Sequence, residues 1–382
     1  MRQPLGVRPH TLNEPVGGGS QGNRLTLYVD GDESFQVAYE AICRAQQRVW
    51  LEMYILEPDA VGRMAIDALA DAARRGCDVI LLFDRFGSPR LRARHAAPIW
   101  KAGGRVALYN PFLPWRKMGR KIAPFSHRDH RKILIVDDVG FCGGRNISVE
   151  YGGPGPERFY DLTVRLEGPC VRDLATVFRD SLYRATRKVP PLPPASPPFP
   201  DGIFVDVLEL SARTHERDLD RAIYRMIDQT RRHCYISTPY FIPPAWLRHA
   251  LIKAGHRGVD VRVLTAGASD VPHARTAGRH VYGGLLAGGG RIYEMQHPIL
   301  HAKYLTIDGR HSIIGSYNVD QYGGKHNLEV GVATRDPSLA RMLEAEFFSN
   351  LDHSVEITPA AWKARPWATR LLQWFLFQLS RI

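Results

Sequence analysis

Two copies of one short string decide the fold of this chain. The first reads HRKILIVD over residues 130–137, and the second reads HAKYLTID over residues 301–308. Both follow the pattern H-x-K-x4-D, and each is followed by the pattern G-[GS]-x-N, at residues 143–146 and 315–318. In a chain of this composition, one such string has chance odds of roughly 0.02, and two have odds on the order of 10⁻⁴. The strings therefore predict an internal repeat.

The sequence around the two strings repeats as well. In the first half, an apolar run over residues 49–56, a helical pattern over 65–75 and a second apolar run over 76–83 follow one another. The second half has the same order between residues 234 and 264. A strand, an amphipathic helix and a strand in this order indicate a parallel β-α-β unit. We therefore predict an α/β protein of two similar halves, related by pseudo-two-fold symmetry, with one site between them.

A proline-rich stretch separates the two halves. Seven of the eleven residues from 190 to 200 are proline, a residue excluded from helix interiors and central strands. We therefore predict an extended linker at this place. The predicted organisation is a leader over residues 1–22, a first half over 23–188, a linker over 189–201, a second half over 202–357 and a C-terminal amphipathic segment over 358–382.

Length and composition exclude several classes of protein. A chain of 382 residues with 44% hydrophobic and 24% charged residues is long enough and apolar enough for a globular core. It contains no apolar run of the roughly 18 to 20 residues that cross a bilayer, and residues 1–20 lack the apolar core of a secretory signal. Its five cysteines are scattered without a C-x-x-C pair. These features argue against an integral membrane protein, a secreted disulfide scaffold and a zinc ribbon.

The chain is basic, with a formal net charge of +12. Such a charge favours polyanionic partners, either nucleic acid or an anionic lipid surface. Of the 51 basic residues, 42 are arginine, and so strong a bias also arises from genome composition alone. The charge by itself therefore does not separate these interpretations.

The spacing within the two strings indicates an anion site. Side chains two residues apart on a strand project from the same face, so the His and Lys of each string point together. Lysine is informative because the chain otherwise uses arginine, and a compact ammonium serves as a point charge on a phosphate oxygen. Asn146, Asn318 and Ser316 can add neutral hydrogen-bond donors. We predict a phosphodiester pocket built by His130, Lys132, His301 and Lys303.

The duplicated strings resemble those of the phospholipase D superfamily, and the chain is most similar to bacterial cardiolipin synthases of the short form without N-terminal transmembrane helices. The resemblance covers residues 23–356 and includes STPYF at 237–241 and NLE at 327–329. It implies two fused βαβ-sandwich halves with one active site between them. It also implies a phosphatidyltransferase that needs no cofactor and no metal.

The resemblance further implies a two-step reaction through a phosphohistidine. One His attacks phosphorus, while the other protonates the leaving alcohol and then deprotonates the incoming one. We assign His130 as the nucleophile and His301 as the acid and base. Lys132 and Lys303 would stabilise the charge on the phosphoryl oxygens.

Four carboxylates receive roles by the same resemblance. Asp161 and Glu329, each of which follows its own string, are expected to orient the two histidines. Asp137 and Asp308 are expected to hold strand ends rather than to touch substrate. The connection from the Asp to the first Gly is one residue shorter in the first half, with five residues against six. A tighter hairpin can absorb this difference, which affects where Gly144 and Asn146 lie.

Two segments indicate contact with an anionic membrane surface. Residues 112–121, FLPWRKMGRK, interleave aromatic and basic side chains, although a solvent loop explains them equally well. Residues 367–382 form a helical pattern about 24 Å long, with one broad apolar face formed by leucines, Phe375 and Ile382. An interfacial helix and a terminal helix packed on its own domain both remain open. The predicted membrane contacts are Trp115, Arg116, Lys117, Trp374, Phe375 and Leu379.

The predicted function is phosphatidyl transfer that makes cardiolipin, or a related lipid, from glycerophospholipids. We expect a peripheral protein at the cytoplasmic face of the bacterial inner membrane, with no nucleic-acid partner. Three alternatives stay open: a hydrolase that releases phosphatidic acid, a phosphodiesterase acting on nucleic acid, and a lipid-surface protein without catalysis. The C-terminal amphipathic segment favours lipid over nucleic acid. The donor lipid, the acceptor alcohol and the oligomeric state are not encoded in these motifs.

Overall fold

Strands and helices alternate along the chain in the order that the repeat predicts. The computed structural model describes residues 18–110, 127–153, 159–211 and 216–380. The first half contains β1 (Ser20–Tyr28), α1 (Gly31–Arg44), β2 (Arg48–Met53), α2 (Ala60–Arg74), β3 (Asp78–Asp84), α3 (Ala93–Lys101), β4 (Arg105–Tyr109), β5 (Ile133–Val136), β6 (Val139–Gly143), β7 (Phe159–Tyr160), β8 (Thr163–Glu167) and α4 (Cys170–Thr186).

The second half repeats this order with a few additions. Its strands are β9 (Ile203–Ser211), β10 (Glu216–Arg217), β11 (His233–Ser237), β12 (Asp260–Ala266), β13 (Arg291–Met295), β14 (Ile299–Leu300), β15 (Tyr304–Ile307), β16 (His311–Gly315), β17 (Leu328–Thr334) and β18 (Ser354–Glu356). Its helices are α5 (Asp218–Gln229), α6 (Ala245–His256), α7 (Pro272–Gly278), α8 (Tyr282–Ala287), α9 (Gln321–His326), α10 (Pro337–Leu351), α11 (Pro359–Lys363) and α12 (Trp367–Leu379).

The strand order confirms the predicted two-half α/β fold. The first half runs β1-β8-β6-β5-β2-β3-β4, and the second runs β9-β17-β16-β15-β11-β12-β13-β18. Strand for strand, the first seven positions of the two series correspond. The pairs β2 with β3 and β11 with β12 are parallel, as the β-α-β pattern predicts. An antiparallel pairing of β1 with β9 joins the two series into one sheet.

The predicted helix after β2 begins five residues earlier than expected, and its end is where the sequence predicts. The Asp59 carboxylate accepts a hydrogen bond from the Gly62 N–H at 3.0 Å, so α2 begins at Ala60 and not at residue 65. The helix stops before Gly76, which has a φ of 92°, and α6 stops in the same way before Gly258, with a φ of 85°. Glycine adopts these left-handed conformations without steric cost.

Helices cover both outer faces of the sheet and also fill the space between the halves. Helices α1 to α3 pack on the outer side of the first half, and α5, α6 and α8 pack on that of the second. Helices α4 and α10 contribute to a central core that contains residues of both halves. Within it, Trp50 stacks on Phe178 of α4 with ring centroids 5.4 Å apart, and Tyr235 stacks on Phe347 of α10 at 5.1 Å. This shared core fixes one half against the other.

The proline-rich linker is extended and is held against α4. The guanidinium of Arg179 donates to the Pro190 carbonyl at 2.9 Å, and that of Arg172 donates to the Pro193 carbonyl at 3.2 Å. The predicted leader overlaps β1, which begins at Ser20. The division into domains stays a prediction, although the chain path agrees with a linker at this place.

The hairpins that carry the two strings differ by one residue. Strands β5 and β6 are joined by Asp137 and Asp138 alone, whereas three residues, 308–310, join β15 and β16. Both Asp137 and Asp308 have a positive φ, of 49° and 55°. The shorter connection is therefore absorbed in the turn itself, before Gly144 and Asn146 are reached.

The carboxylates of these two aspartates bind backbone N–H groups at the start of a neighbouring strand. Asp137 accepts from three successive N–H groups of residues 46–48 at 2.8 to 2.9 Å. Asp308 accepts from those of residues 231–233 at 2.8 to 3.0 Å, and also from the Thr230 hydroxyl. Both side chains thus tie a hairpin to the strand beside it, away from the histidines.

Candidate active site

Each string is held by a segment of the opposite half. The His130 N–H donates to the Leu328 carbonyl at 3.0 Å, at the start of β17. The His301 N–H donates to the Tyr160 carbonyl at 2.8 Å, where β7 and β14 pair in parallel. Leu328 directly precedes Glu329, and Tyr160 directly precedes Asp161. The backbone therefore brings each histidine to a carboxylate from the other half.

Both histidines open into one cavity of about 670 Å³. Its lining combines polar residues with apolar residues of α7 and α12. The predicted residues His130, His301, Asn146 and Asn318 all lie in its wall. The other lining residues include Tyr54, Tyr151, Tyr240, Asp270, Val271, Ala274, Ala277, Asp320, Tyr322, Leu376 and Leu379.

The His130 imidazole is oriented by Glu329. Its Nδ1 lies 3.0 Å from Oε2 of Glu329, which also accepts from the Ser316 hydroxyl at 2.5 Å. The other carboxylate oxygen accepts from the Asn327 amide at 3.3 Å. Burial would raise the pKa of Glu329, but the charges of His130 and Lys132 outweigh it and lower that pKa. The ionised carboxylate therefore holds the proton of His130 on Nδ1 and leaves Nε2 directed to the cavity.

The His301 imidazole is oriented in the same way by Asp161. Its Nδ1 lies 2.5 Å from Oδ2 of Asp161. Burial would raise the pKa of Asp161, but the charges of Lys303 and His301 lower it. Burial lowers the pKa of His301 to about 4, the Lys303 ammonium adds to this shift, and Asp161 opposes it. The empty site therefore holds a neutral His301 at neutral pH.

The two lysines are buried beside the histidines, and neither is among the residues that line the cavity. The Lys132 ammonium donates to the His130 carbonyl at 2.7 Å, and the Lys303 ammonium donates to the His301 carbonyl. Burial lowers the pKa of Lys132 to about 7 and that of Lys303 to about 8. An anionic phosphodiester between them would favour the charged form of both.

The second residue of the G-[GS]-x-N pattern is Gly144 in the first half and Ser316 in the second. This difference follows from the length of the carboxylate side chain that each residue contacts, which is Asp161 in the first half and Glu329 in the second. A Cβ atom at Gly144 would lie 2.3 Å from Oδ1 of Asp161, so only glycine fits beside this short side chain. In the second half the longer Glu329 leaves room for Ser316, whose hydroxyl donates to it. Each half thus fills the space beside its carboxylate differently: Gly144 leaves room for Asp161, and Ser316 donates a hydrogen bond to Glu329.

The two asparagines reach the cavity from equivalent positions. The Asn146 side chain accepts from the Ile55 N–H at 3.3 Å and donates to the Tyr151 hydroxyl at 2.8 Å. In the second half, Oδ1 of Asn318 is buried and has no hydrogen-bond partner among the described residues. Asn146 is therefore engaged in a protein network, whereas Asn318 retains an unused acceptor in the cavity wall.

Two tyrosines that contact the histidines were not predicted from the sequence. The tyrosines at 54 and 151 pack edge-on against His130 and His301, at 4.7 Å and 5.2 Å between ring centroids. Tyr151 lies five residues after Asn146, beyond the G-[GS]-x-N pattern. The only signal for Tyr54 was its place within the predicted apolar run over residues 49–56.

The C-terminal helix docks mainly through Gln373 and Phe377, which are not part of the predicted apolar face. In α12 the buried side chains are Gln373 and Phe377, and Phe377 packs on Ile242 and Ala277. Part of the expected apolar face is exposed, with Leu371 54% and Phe375 52% exposed, whereas Leu376 packs against the same cluster and lines the cavity. The remaining large exposed side chains of this helix are Trp367, Leu372, Trp374 and Leu379. The other predicted membrane contacts, Trp115, Arg116 and Lys117, lie outside the described residues.

Comparison with known proteins identifies the family. A family model described as "Cardiolipin synthase, PLD-like domain" matches residues 39–169 and again residues 223–351, which contain the two strings. The chain belongs to this family. Each of the two matches contains one of the two site histidines, one of the two site lysines and one orienting carboxylate, so one copy of the domain supplies half of the site.

Relatives of this phospholipase-D-type chain carry related names. Cardiolipin synthase B of Salmonella typhimurium is 32% identical over 342 residues, which cover 85% of this chain and 80% of the relative. Probable cardiolipin synthase YwiE of Bacillus subtilis is 30% identical over 358 residues, covering 92% and 71%. These relatives confirm the predicted resemblance and the enzyme class, a cardiolipin-synthase-like phosphatidyltransferase of the phospholipase D superfamily.

A solved structure supports the fold independently. The phosphatidylserine synthase of Haemophilus influenzae superposes with a TM-score of 0.71, covering 94% of this chain and 93% of that protein. Its sequence is 16% identical, so this likeness concerns the fold alone.

Two absences hold for the parts of the chain that the structure describes. No helix there is both long and apolar enough to cross a membrane. No group of three or more His, Cys, Asp or Glu side chains there is arranged to hold a metal ion. That the reaction needs no metal or cofactor stays a prediction.

Proposed function

We propose that this chain transfers a phosphatidyl group from one glycerophospholipid to another through a phosphohistidine, and that its product is cardiolipin or a close relative. The observation that carries the proposal is the pair of histidines in one cavity. Each has its Nδ1 on a carboxylate of the opposite half, and each has a lysine beside it. Such a pair supplies one nucleophile and one acid for in-line displacement at phosphorus.

In the first step, Nε2 of His130 attacks the phosphorus of the donor lipid. The new P–N bond replaces the P–O bond to the headgroup alcohol, and His301 gives its proton to the departing oxygen. With phosphatidylglycerol as donor, the alcohol released is glycerol. The incoming phosphodiester is an anion, so its binding raises the pKa of His301 from its low value and supplies the protonated form.

In the second step, His301 takes the proton from a hydroxyl group of the acceptor lipid. The acceptor oxygen attacks phosphorus, the P–N bond breaks and His130 is regenerated. Throughout, Lys132 and Lys303 offset the charge that develops on the non-bridging oxygens. His301 thus regains from the acceptor hydroxyl the proton that it gave to the leaving alcohol, and both histidines return to their starting states.

The lining of the cavity favours a lipid over a nucleic acid. Part of it is apolar and is formed by Val271, Ala274 and Ala277 on or beside α7 and by Leu376 and Leu379 of α12. Acyl chains can lie against such a wall, whereas the polar groups of a polynucleotide's sugars and bases would find no hydrogen-bond partner there. A hydrolase that gives the phosphatidyl group to water shares every residue of the first step and remains the alternative.

We further propose that α12 holds the protein on the anionic cytoplasmic face of the inner membrane. The helix presents Trp367, Leu371 and Phe375 to solvent, and its residues Leu376 and Leu379 line the cavity. Aromatic and aliphatic side chains on one face of a helix insert into the headgroup region of a bilayer. A lipid could then reach the histidines beside the inserted helix.

The proposal is tested by identifying the product. Purified protein is incubated with liposomes of labelled phosphatidylglycerol, with and without phosphatidylethanolamine, and the lipids are separated. Cardiolipin together with free glycerol is the expected result. Phosphatidic acid alone would replace the transferase by the hydrolase. Turnover of a single-stranded oligonucleotide with no change in any lipid would overturn the proposal altogether.

A further inference from the structure

Tyr151 contacts the reacting nitrogen of His301. Its hydroxyl lies 3.3 Å from Nε2 of that histidine, the atom that faces the cavity. The tyrosine ring is buried, and it stacks on Phe159 with ring centroids 4.8 Å apart. This packing fixes the hydroxyl in one place.

The direction of this hydrogen bond follows from its neighbours. The Ile55 N–H binds Oδ1 of Asn146, so the amide nitrogen of Asn146 must donate to the Tyr151 oxygen. Burial raises the pKa of Tyr151 well above its ordinary value, so the phenol keeps its proton. That proton is therefore directed to Nε2 of His301.

The protonation of His301 agrees with this direction. The carboxylate of Asp161 is ionised and can only accept, so the proton between it and His301 belongs to Nδ1. The Lys303 nitrogen also lies 2.6 Å from Nδ1. Because Nδ1 carries a proton, it has no free lone pair and cannot accept a hydrogen bond from the ammonium, which donates to the His301 carbonyl instead. Nε2 of His301 is thus the atom that accepts, and Tyr151 is its donor.

The second half has no equivalent of Tyr151. The residue five positions after Asn318 is Gly323, where the first half has Tyr151 five positions after Asn146. Among the described residues, Nε2 of His130 has no hydrogen-bond partner, since the only hydrogen bond of its ring is the one from Nδ1 to Glu329. The two histidines therefore have the same kind of hydrogen-bond partner at Nδ1, a carboxylate, but in the part of the chain that the structure describes only His301 has a partner at Nε2.

We propose that Tyr151 is a positioning residue that divides the two roles between the histidines. Its hydroxyl occupies the lone pair of Nε2 on His301 and opposes attack by that nitrogen, so the phosphohistidine forms on His130. A proton can still pass between His301 and an alcohol oxygen that takes the place of the phenol. This inference rests on the proposed phosphohistidine mechanism, and it assigns which of two similar groups carries the covalent bond.

The test locates the covalent intermediate in the full-length protein. Wild type and Tyr151→Phe are mixed with labelled phosphatidylglycerol in liposomes, quenched in denaturant at neutral pH and digested, and mass spectrometry determines which histidine carries the label. Tyr304→Phe is the matched control, because Tyr304 is also buried, follows Lys303 directly and has a hydroxyl without a partner among the described residues. Thermal unfolding of each variant checks that it is folded.

We expect the label on His130 alone in wild type and in Tyr304→Phe, and on both histidines in Tyr151→Phe. Label on His301 in wild type, or on His130 alone in Tyr151→Phe, would overturn the assignment to Tyr151. Absence of label from both histidines in every protein would instead contradict the covalent step of the proposed function.

The pH dependence of kcat/KM gives a second readout on the same variant. A donor to Nε2 stabilises the neutral imidazole, so its removal raises the pKa of His301. The limb of the profile that reports His301 should therefore move to higher pH in Tyr151→Phe and stay in place in Tyr304→Phe. An unchanged limb in Tyr151→Phe would show that the phenol does not act on His301.

Discussion

At the scale of single residues, the contact between Gly144 and Asp161 leads to the first prediction. A methyl group at Gly144 would lie 2.3 Å from Oδ1 of Asp161, whose other oxygen, Oδ2, is bound to His301, so the carboxylate must move and the imidazole with it. Misplacement of a catalytic group by about 1 Å costs roughly a hundredfold in rate. We expect Gly144→Ala to lower kcat by about this factor.

Steady-state kinetics on folded protein measure this effect. Ser316→Ala is the matched comparison in the other half, since it removes a hydrogen bond to Glu329 without adding an atom. It should cost less than Gly144→Ala. A Gly144→Ala enzyme with the wild-type kcat would refute the packing argument.

The lowered pKa values of the two lysines predict an unusual alkaline limit. Only the charged ammonium can offset phosphoryl charge, and burial lowers the pKa of Lys132 to about 7 and that of Lys303 to about 8. An ordinary lysine keeps its proton to a pH of about 10.4. The kcat/KM of the free enzyme should therefore fall as pH rises through about 7 to 8.

A pH profile of kcat/KM, followed to about pH 10, tests this expectation. In Lys132→Arg the guanidinium stays charged throughout this range, so the part of the decline that belongs to Lys132 should disappear even if the rate is lower. A profile that stays flat to pH 10 in wild type would contradict the burial of the two charges.

The residues of the site were predictable to the extent that the repeat carries them. His130, Lys132 and their counterparts follow from the repeated spacing, but the expectation that they lie on a strand was wrong, since they occupy the segments directly before β5 and β15. The hydrogen bond from Tyr151 to His301 joins residues 150 positions apart in the chain. No local pattern marks such a contact, since it exists only once the two halves have packed together.

At the scale of elements, we expect substitution of a hairpin aspartate to lower the stability of the protein without affecting its catalytic groups. Asp137 binds three backbone N–H groups just before and at the start of β2. Since each lost hydrogen bond costs roughly 0.5–1.5 kcal/mol, the loss of three in Asp137→Ala should lower the free energy of unfolding by about 1.5 to 4.5 kcal/mol. Denaturant unfolding measures the difference.

The neighbouring Asp138 provides the control for this variant. It lies in the same two-residue turn and its side chain is exposed, so Asp138→Ala should change the free energy of unfolding by less than about 0.5 kcal/mol. Equal losses in the two variants would mean that the turn as a whole, and not the Asp137 carboxylate, determines the stability.

The outward face of α12 predicts how strongly the protein binds lipid surfaces. Leu371 and Phe375 are both about half exposed and contribute no core packing. Since inserting each such side chain into a bilayer is worth roughly 1 to 2 kcal/mol, Leu371→Ser with Phe375→Ser should weaken binding to anionic liposomes at least about tenfold. Liposome sedimentation measures the change.

Trp100→Ser is the control, because this tryptophan is also exposed but lies on α3 of the first half. Its binding to liposomes should match that of wild type. Should the α12 double variant bind as tightly as wild type does, the helix is not the membrane contact.

The docking of α12 shows where a helical wheel stops being informative. The wheel identified the leucine-rich face correctly, but the choice of the docked side depends on Ile242 and Ala277, which are distant in sequence. Gln373 is buried there because the Arg365 guanidinium donates to its side-chain oxygen. A polar residue with a partner is as acceptable in that position as an apolar one.

At the scale of the whole molecule, the two halves complete each other. Glu329 of the second half orients the histidine of the first, and Asp161 of the first orients that of the second. The buried Arg131 guanidinium also crosses the boundary and pairs with Glu209 at 2.7 Å. The repeat in the sequence predicted two halves and a shared site, whereas this exchange of carboxylates required the three-dimensional arrangement.

The central claim is that the two histidines, one from each half, form a single active site. Its direct test is cardiolipin formation by wild type, His130→Ala and His301→Ala. All three are assayed on the same phosphatidylglycerol liposomes after their folding has been checked by thermal unfolding. We predict cardiolipin from wild type and a loss of at least about a thousandfold in each variant, because neither half can supply both nucleophile and acid. Cardiolipin formation at the wild-type rate by either variant, or none by wild type, would contradict the account.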